Sequence, residues 1–263
     1  MRVPSRGSRR ASTAMMTDHS PDRLALLSDV HGNRPALEAV MADLEARGIS
    51  RVHCLGDLVG YGPDPNGVID LLRDRGIPSL LGNYDEGVGW ETGDCGCFYP
   101  DKQAKEVGEA SYAFTVDAVT ADRKAYLRSL PRESHLELAG KRIHLVHGSP
   151  RRINEYLLRE RDQRTYDRLA AAEADDVLVF GHTHQFWQRR FGKVLFVNTG
   201  SVGRPKDGDP RAGYAILEVT ESGVAAEVAA QYVRVVYDCE AVAGAILAAG
   251  LPASLAEGIR TGH

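Results

Sequence analysis

Short apolar runs and longer amphipathic stretches alternate through the first third of the chain. Residues 23–28 (RLALLS) form a short apolar run of the kind that makes a buried strand. From Arg34 to Gly48 the pattern changes to helical spacing, with Leu37, Val40, Met41 and Leu44 on one face and Gly48 placed to end the helix. Residues 51–55 predict the next strand, residues 65–75 (PNGVIDLLRDR) a helix closed by Gly76, and residues 78–81 a third strand. This alternation predicts a parallel sheet with helices on its faces.

The middle of the chain departs from that rhythm. Residues 87–99 (GVGWETGDCGCFY) are glycine-rich and read as a loop, and residues 101–119 and 121–130 read as two helices. Strands at 134–138 and 142–146 are joined through Ala139-Gly140-Lys141 as a hairpin. Residues 161–174 read as a helix and 177–180 as a short apolar strand. The remainder is strand-rich at 186–190, 194–198, 213–219 and 224–235, with turns at Phe191-Gly192-Lys193 and Glu221-Ser222-Gly223. Alanine-rich helices at 239–250 and 252–259 follow. With no internal repeat and no interdomain linker, the expectation is a single α/β domain over residues 22–263. It has two sheets and an insertion at about residues 87–130.

Composition narrows the classes. The 263 residues are 43% hydrophobic and 26% charged, as in ordinary globular chains, and are ample for a core. A formal net charge of −4 argues against nucleic acid as a partner while leaving room for a small anionic substrate. No apolar run approaches the ~20 residues that span a bilayer. Arg2, Arg6, Arg9 and Arg10 crowd the start without an apolar core of a signal peptide. Residues 1–21 are therefore read as a disordered tail, or as a start placed too early with Met15 or Met16 as the first residue. Cys54, Cys95, Cys97 and Cys239 are too few for a disulfide scaffold. They are read as thiols of a reduced, cytoplasmic protein, with Cys95-Gly96-Cys97 the one close pair.

The chemistry sits where the apolar runs stop. LALLS leads into Asp29-Val30-His31, RVHCLG into Asp57, PSLLG into Asn83, IHLV into His147, and LVFG into His182-Thr183-His184. In α/β proteins the carboxyl ends of strands face the ligand crevice, so residues distant in sequence converge there. Carboxylate and imidazole together suit divalent manganese, iron, zinc or nickel. Three aspartate or asparagine groups and four histidines suffice for two ions if one carboxylate bridges. Two ions ~3.5–4 Å apart can clamp a phosphate and turn water into hydroxide. No thiol joins these clusters, which disfavours a closed structural zinc site. The other five histidines, His19, His53, His135, His144 and His263, lack this setting and are given no role.

DVHGN, GDLVGYG, GNYD, HGSP, GHTH and NTGSVG together resemble the calcineurin-like metallophosphoesterases, and most closely the small bacterial and archaeal phosphodiesterases and phosphatases. The resemblance spans residues 24–203. It implies a four-layer α/β/β/α sandwich of two mixed sheets with metals at the sheet edge. By motif position, Asp29, His31 and His184 would hold one metal, Asn83, His147 and His182 the other, and Asp57 would bridge. The cofactors implied are two divalent ions, manganese foremost in vitro. Asn33 would lie near the substrate phosphate, with Arg151, Arg152 and Arg204 as further phosphate contacts.

The third motif departs from the family, which has GNH followed by an acid; here it is Gly82-Asn83-Tyr84-Asp85. The family's histidine is the general acid. A tyrosine, titrating near ~10 rather than ~6.5, is a poor proton shuttle at neutral pH. The catalytic candidates are thus Tyr84, Asp85 and Asn33. The expected activity is hydrolysis of a phosphodiester or phosphomonoester, possessing a good leaving group, by metal-activated hydroxide. The substrate would be a small phosphorylated molecule such as a nucleotide, with no membrane partner and oligomerisation left open. The insertion aromatics Trp90, Phe98 and Tyr99 could cap the site and stack on a base, while Tyr112 and Phe114 read as its core. The alternatives are a phosphoprotein or dinucleoside-polyphosphate phosphatase, whose usual motif arginines are replaced by Gly60-Tyr61-Gly62 and Leu81, or a metal-binding interaction module of the same fold.

Overall fold

A computed structural model describes residues 23–222 and 225–263. The expected N-terminal tail and part of the 221–223 turn lie outside the described residues. The first strand, β1 (Arg23–Leu27), leads to α1 (Arg34–Ala46), β2 (Val52–Cys54), α2 (Pro65–Asp74), α3 (Asn83–Trp90), α4 (Lys102–Ala118) and α5 (Ala121–Ser129). The hairpin β3 (Glu133–Leu138) and β4 (Lys141–Val146) follows, then α6 (Gln163–Ala172), β5 (Val177–Phe180), β6 (Phe186–Phe191) and β7 (Val194–Thr199). The chain continues through β8 (Ala212–Ser222), β9 (Ala225–Val235), α7 (Cys239–Ala248) and α8 (Ala253–Thr261).

The strands form two mixed sheets, ordered β2-β1-β8-β9 and β3-β4-β5-β7-β6. Alternation along β1 shows how they stack. Leu24 and Leu26 point into a core shared with Ile143, Leu145, Val177 and Val197 of the second sheet. Ala25 and Leu27 point the other way, onto Leu37 and Val40 of α1 and Val68 of α2. The far face of the second sheet is covered by α6, where Tyr166 and Leu169 pack on Leu178 and Phe180. Helix, sheet, sheet, helix is the four-layer order the motifs imply.

Two expectations are corrected. The parallel sheet exists only in part: β1 pairs parallel with β2 but antiparallel with β8. Residues 78–81 contribute one bridge, Cys54 to Ser79, rather than a strand, because Leu81 turns its N–H to the Pro131 carbonyl. No helix among the described residues is long and apolar enough to cross a membrane.

Candidate metal centre

The seven motif residues converge, all buried, six of them just after strands of the two sheets and one at the start of a helix. Asp29 and His31 follow β1, Asp57 follows β2, His147 follows β4, and His182 and His184 follow β5. Asn83 is the first residue of α3, a helix the loop reading of residues 87–99 cuts into. Asp29, His31 and His184 bring ligand atoms within 4.8 Å of one another, as do Asp57, His147 and His182. The two groups meet at one atom: Asp57 Oδ2 lies 3.7 Å from His31 Nε2 and 3.4 Å from His147 Nε2.

The hydrogen bonds fix which atoms face inward. His31 Nδ1 donates to the Val59 carbonyl (2.9 Å), His147 Nδ1 to Leu55 (2.9 Å) and His184 Nδ1 to Arg204 (2.5 Å). A carbonyl can only accept, so each Nδ1 carries a proton, and in the neutral imidazole Nε2 then presents a lone pair. Yet His31 Nε2 faces His184 Nε2 at 3.2 Å, and His147 Nε2 faces Asn83 Oδ1 at 3.0 Å. Lone pairs this close repel unless a positive charge, a proton or a metal ion, lies among them. Asp29 Oδ1 and His182 Nε2 are moreover buried without a hydrogen-bond partner. The donor set therefore fits divalent metal. Burial holds His31 and His182 neutral, depressing each to about 3. Burial also opposes a charge on His147, but the Asp57 carboxylate outweighs it and raises that imidazole to about 9.

The backbone is as unusual as the side chains. Asp29, His31, Asp57, His182 and His184 all have left-handed backbone, with φ of 49° to 64°. Such conformations cost of order 1–3 kcal/mol each for non-glycine residues and persist only where the fold over-determines them. The motif glycines allow the loops to close. A Cβ on Gly82 would collide with the Asp57 backbone, and one on Gly181 with Ser28 and Asp29.

The three residues expected to act on substrate are all engaged inside the protein. Tyr84 donates its backbone N–H to Asp57 Oδ1 (2.8 Å), but its buried hydroxyl pairs with Ser111 Oγ at 2.8 Å. Burial raises that phenol well above 10. Asp85 accepts from the backbone N–H groups of Leu58 (2.9 Å), Val59 (3.2 Å) and Gly82 (3.0 Å). Burial and the neighbouring Asp57 charge raise its carboxyl to about 7. Asn33 caps α1 through Ala36 N (3.1 Å) and donates to the Gly203 carbonyl (2.9 Å) and the Tyr237 hydroxyl (3.2 Å). The arginines separate as well. Arg151 is clamped on the buried Glu155 carboxylate, with Nε at 3.1 Å. Arg152 is exposed, whereas Arg204 lies over the Tyr61 ring at 4.2 Å with its Nε buried and unpartnered.

A calcineurin-like phosphoesterase superfamily domain matches residues 23–222, which include all seven residues. The chain is a calcineurin-like phosphoesterase. A protein of Methanocaldococcus jannaschii is 31% identical over 258 residues, covering 91% of this chain and 98% of that protein. Phosphodiesterase YfcE of Escherichia coli is 28% identical, covering 74% and 87%. Among solved structures, a metallophosphoesterase from Sphaerobacter thermophilus superposes with a TM-score of 0.72 at 30% identity, covering 92% of this chain and 100% of that one. As a calcineurin-like phosphoesterase the chain is a metal-dependent hydrolase of phosphoric esters.

Beside the centre this phosphoesterase has a cavity of about 350 Å³, lined by Tyr61, Phe98, Tyr99, Tyr156, Arg204 and Lys206. Three of these escaped the sequence reading. Tyr61 stacks edge-on to His31 with ring centroids 4.9 Å apart, and Tyr156 lies 4.0 Å from the His182 ring. Lys206 is drawn down to about 7 by burial and then by Arg204. Tyr61 sits inside GDLVGYG and Lys206 two residues beyond Arg204, so motif adjacency was the available signal. Of the insertion aromatics, Phe98 and Tyr99 reach the cavity, Trp90 does not, Tyr112 joins the main core, and Phe114 packs against the α7–α8 cluster. The reading of four free thiols is corrected. Gly96, at φ 63°, turns the chain so that Cys95 and Cys97 form a disulfide with Cα atoms 5.4 Å apart, leaving Cys54 and Cys239 free. Asn83 Nδ2 donates to the Cys95 carbonyl at 2.8 Å, which aims its Oδ1 inward.

Proposed function

We propose that the seven residues hold two divalent ions and that the protein hydrolyses small phosphodiesters or phosphomonoesters carrying an aromatic group. In this reading Asp29, His31 and His184 hold one ion, Asn83, His147 and His182 the other, and Asp57 bridges, with manganese the ion of choice in vitro. The observation that carries it is the single Asp57 oxygen addressed by His31 and His147 from opposite groups. When bound, such ions polarise a phosphoryl oxygen and make hydroxide available from water near neutral pH.

The chain supplies the rest. Backbone carbonyls hold three imidazoles in one tautomer. Asp85 ties the Asp57 loop to the start of α3. Arg204 and Lys206 offer positive charge to substrate phosphate, and the aromatic cavity takes the organic group. Tyr84, Asp85 and Asn33 are positioning residues, so the leaving group receives no proton from position 84 and good leaving groups are favoured.

The test uses the full chain and bis(p-nitrophenyl) phosphate. Wild type should turn over with added Mn2+ and lose turnover with chelator. Asp57→Asn should hold fewer ions and lose at least about 100-fold in kcat. No bound metal and no turnover with manganese, iron, zinc or nickel would overturn the reading.

A further inference from the structure

Away from this centre, two histidines that the motifs leave unused face each other across a hairpin. In the antiparallel β3–β4 pair His135 stands opposite His144. Their rings stack with centroids 4.3 Å apart at 19°. Glu133 and His135, two positions apart on β3, share one face, while Leu136 and Leu138 turn to the inter-sheet core. One ligand atom from each of Glu133, His135 and His144 lies within 4.8 Å of the others.

Both imidazoles are oriented by carboxylates from the segment between α6 and β5. His135 Nδ1 lies 2.5 Å from Asp175 Oδ2, and His144 Nδ1 lies 2.8 Å from Glu173 Oε2. The Asp175 and Glu173 carboxylates are themselves almost wholly buried. A carboxylate accepting the Nδ1 proton leaves Nε2 with its lone pair, the arrangement in which histidine binds metal. For His144 that lone pair is aimed at the Glu133 carboxylate, 3.3 Å away. In that tautomer the Nε2 lone pair and the carboxylate oxygen confront each other, and a cation between them satisfies both.

We propose that Glu133, His135 and His144 form an additional site for a divalent transition ion, with Asp175 and Glu173 as the outer carboxylates. Two imidazoles and one carboxylate suit zinc, copper or nickel rather than magnesium or calcium, and leave room for water as a further ligand. The ion would cross-link β3, the edge strand of its sheet, to β4, and through the outer carboxylates to the end of α6. The five residues are distinct from the seven at the phosphoesterase centre, so this proposal is independent of the reading given above.

A proton shared between His144 and Glu133 would meet the same electrostatic need without metal, and a count of ions separates the two cases. The full-length protein is loaded with Zn2+, desalted and counted by mass spectrometry, for wild type, His135→Ala and Glu133→Gln. His135 and Glu133 are both exposed, so both substitutions should leave the fold intact. Each variant should carry one zinc fewer per chain, or bind it at least about 10-fold more weakly by calorimetry. Turnover of bis(p-nitrophenyl) phosphate with Mn2+ should stay within about 2-fold of wild type, as expected for residues outside the reacting centre. Equal zinc counts and equal affinities in all three proteins would overturn the site.

Discussion

At the scale of single residues, position 84 separates what a side chain is from where it points. The tyrosine replaces a residue type that would exchange protons, and its chemistry alone suggested a weakened acid. The hydroxyl instead meets Ser111 in the core, and only the backbone N–H reaches Asp57. Tyr84→Phe should therefore cost about 1 kcal/mol of stability through the lost hydrogen bond. Its kcat should stay unchanged for aryl and alkyl phosphate esters alike. A selective loss on alkyl esters, whose leaving groups need protonation, would return the acid role to Tyr84. The seven ligand-type residues were legible because they cluster where apolar runs stop, in short motifs that each contain glycine. The left-handed backbone of five of them was not, since no pattern of polarity reports φ. Asp, Asn and His are the residue types that best tolerate that region, so ligand chemistry and backbone geometry select the same short alphabet.

At the scale of elements, the strands that a continuous apolar run betrays were read well, but the pairing of strands far apart along the chain was not. Nothing in residues 23–28 tells that β1 will take β8 as an antiparallel neighbour. Helix α3 was hidden by its glycines, although Asp85 at its third position accepts the Gly82 N–H in the manner of a capping acid. The β3–β4 hairpin shows a local rule at work. Its turn is Ala139-Gly140, both left-handed at φ 46° and 76°, closed by the Leu138–Lys141 pair. A two-residue turn of this kind favours Asn-Gly, and alanine pays for its Cβ there. Ala139→Asn should raise stability by about 0.5–1 kcal/mol in urea unfolding, with the m-value unchanged. A destabilised variant would mean that the turn is held by something other than its own conformational preference.

At the scale of the whole molecule, the centre joins the two sheets: Asp29 and Asp57 come from one, His147, His182 and His184 from the other. Ligand binding to the native state alone stabilises by about 2.7 kcal/mol at 100 times Kd. For a chain of this size, removing Mn2+ with chelator should therefore lower the thermal midpoint by about 5–10 °C. Asp57→Asn should lose most of that difference, and an unchanged midpoint in wild type would argue against a native-state ion between the sheets. The order of the ligands along the chain carries a consequence for synthesis. His182 belongs to one group and His184 to the other, so neither set is complete until that short loop has left the ribosome. A nascent chain would pass through most of its translation with no finished metal site, and both would then be completed almost together.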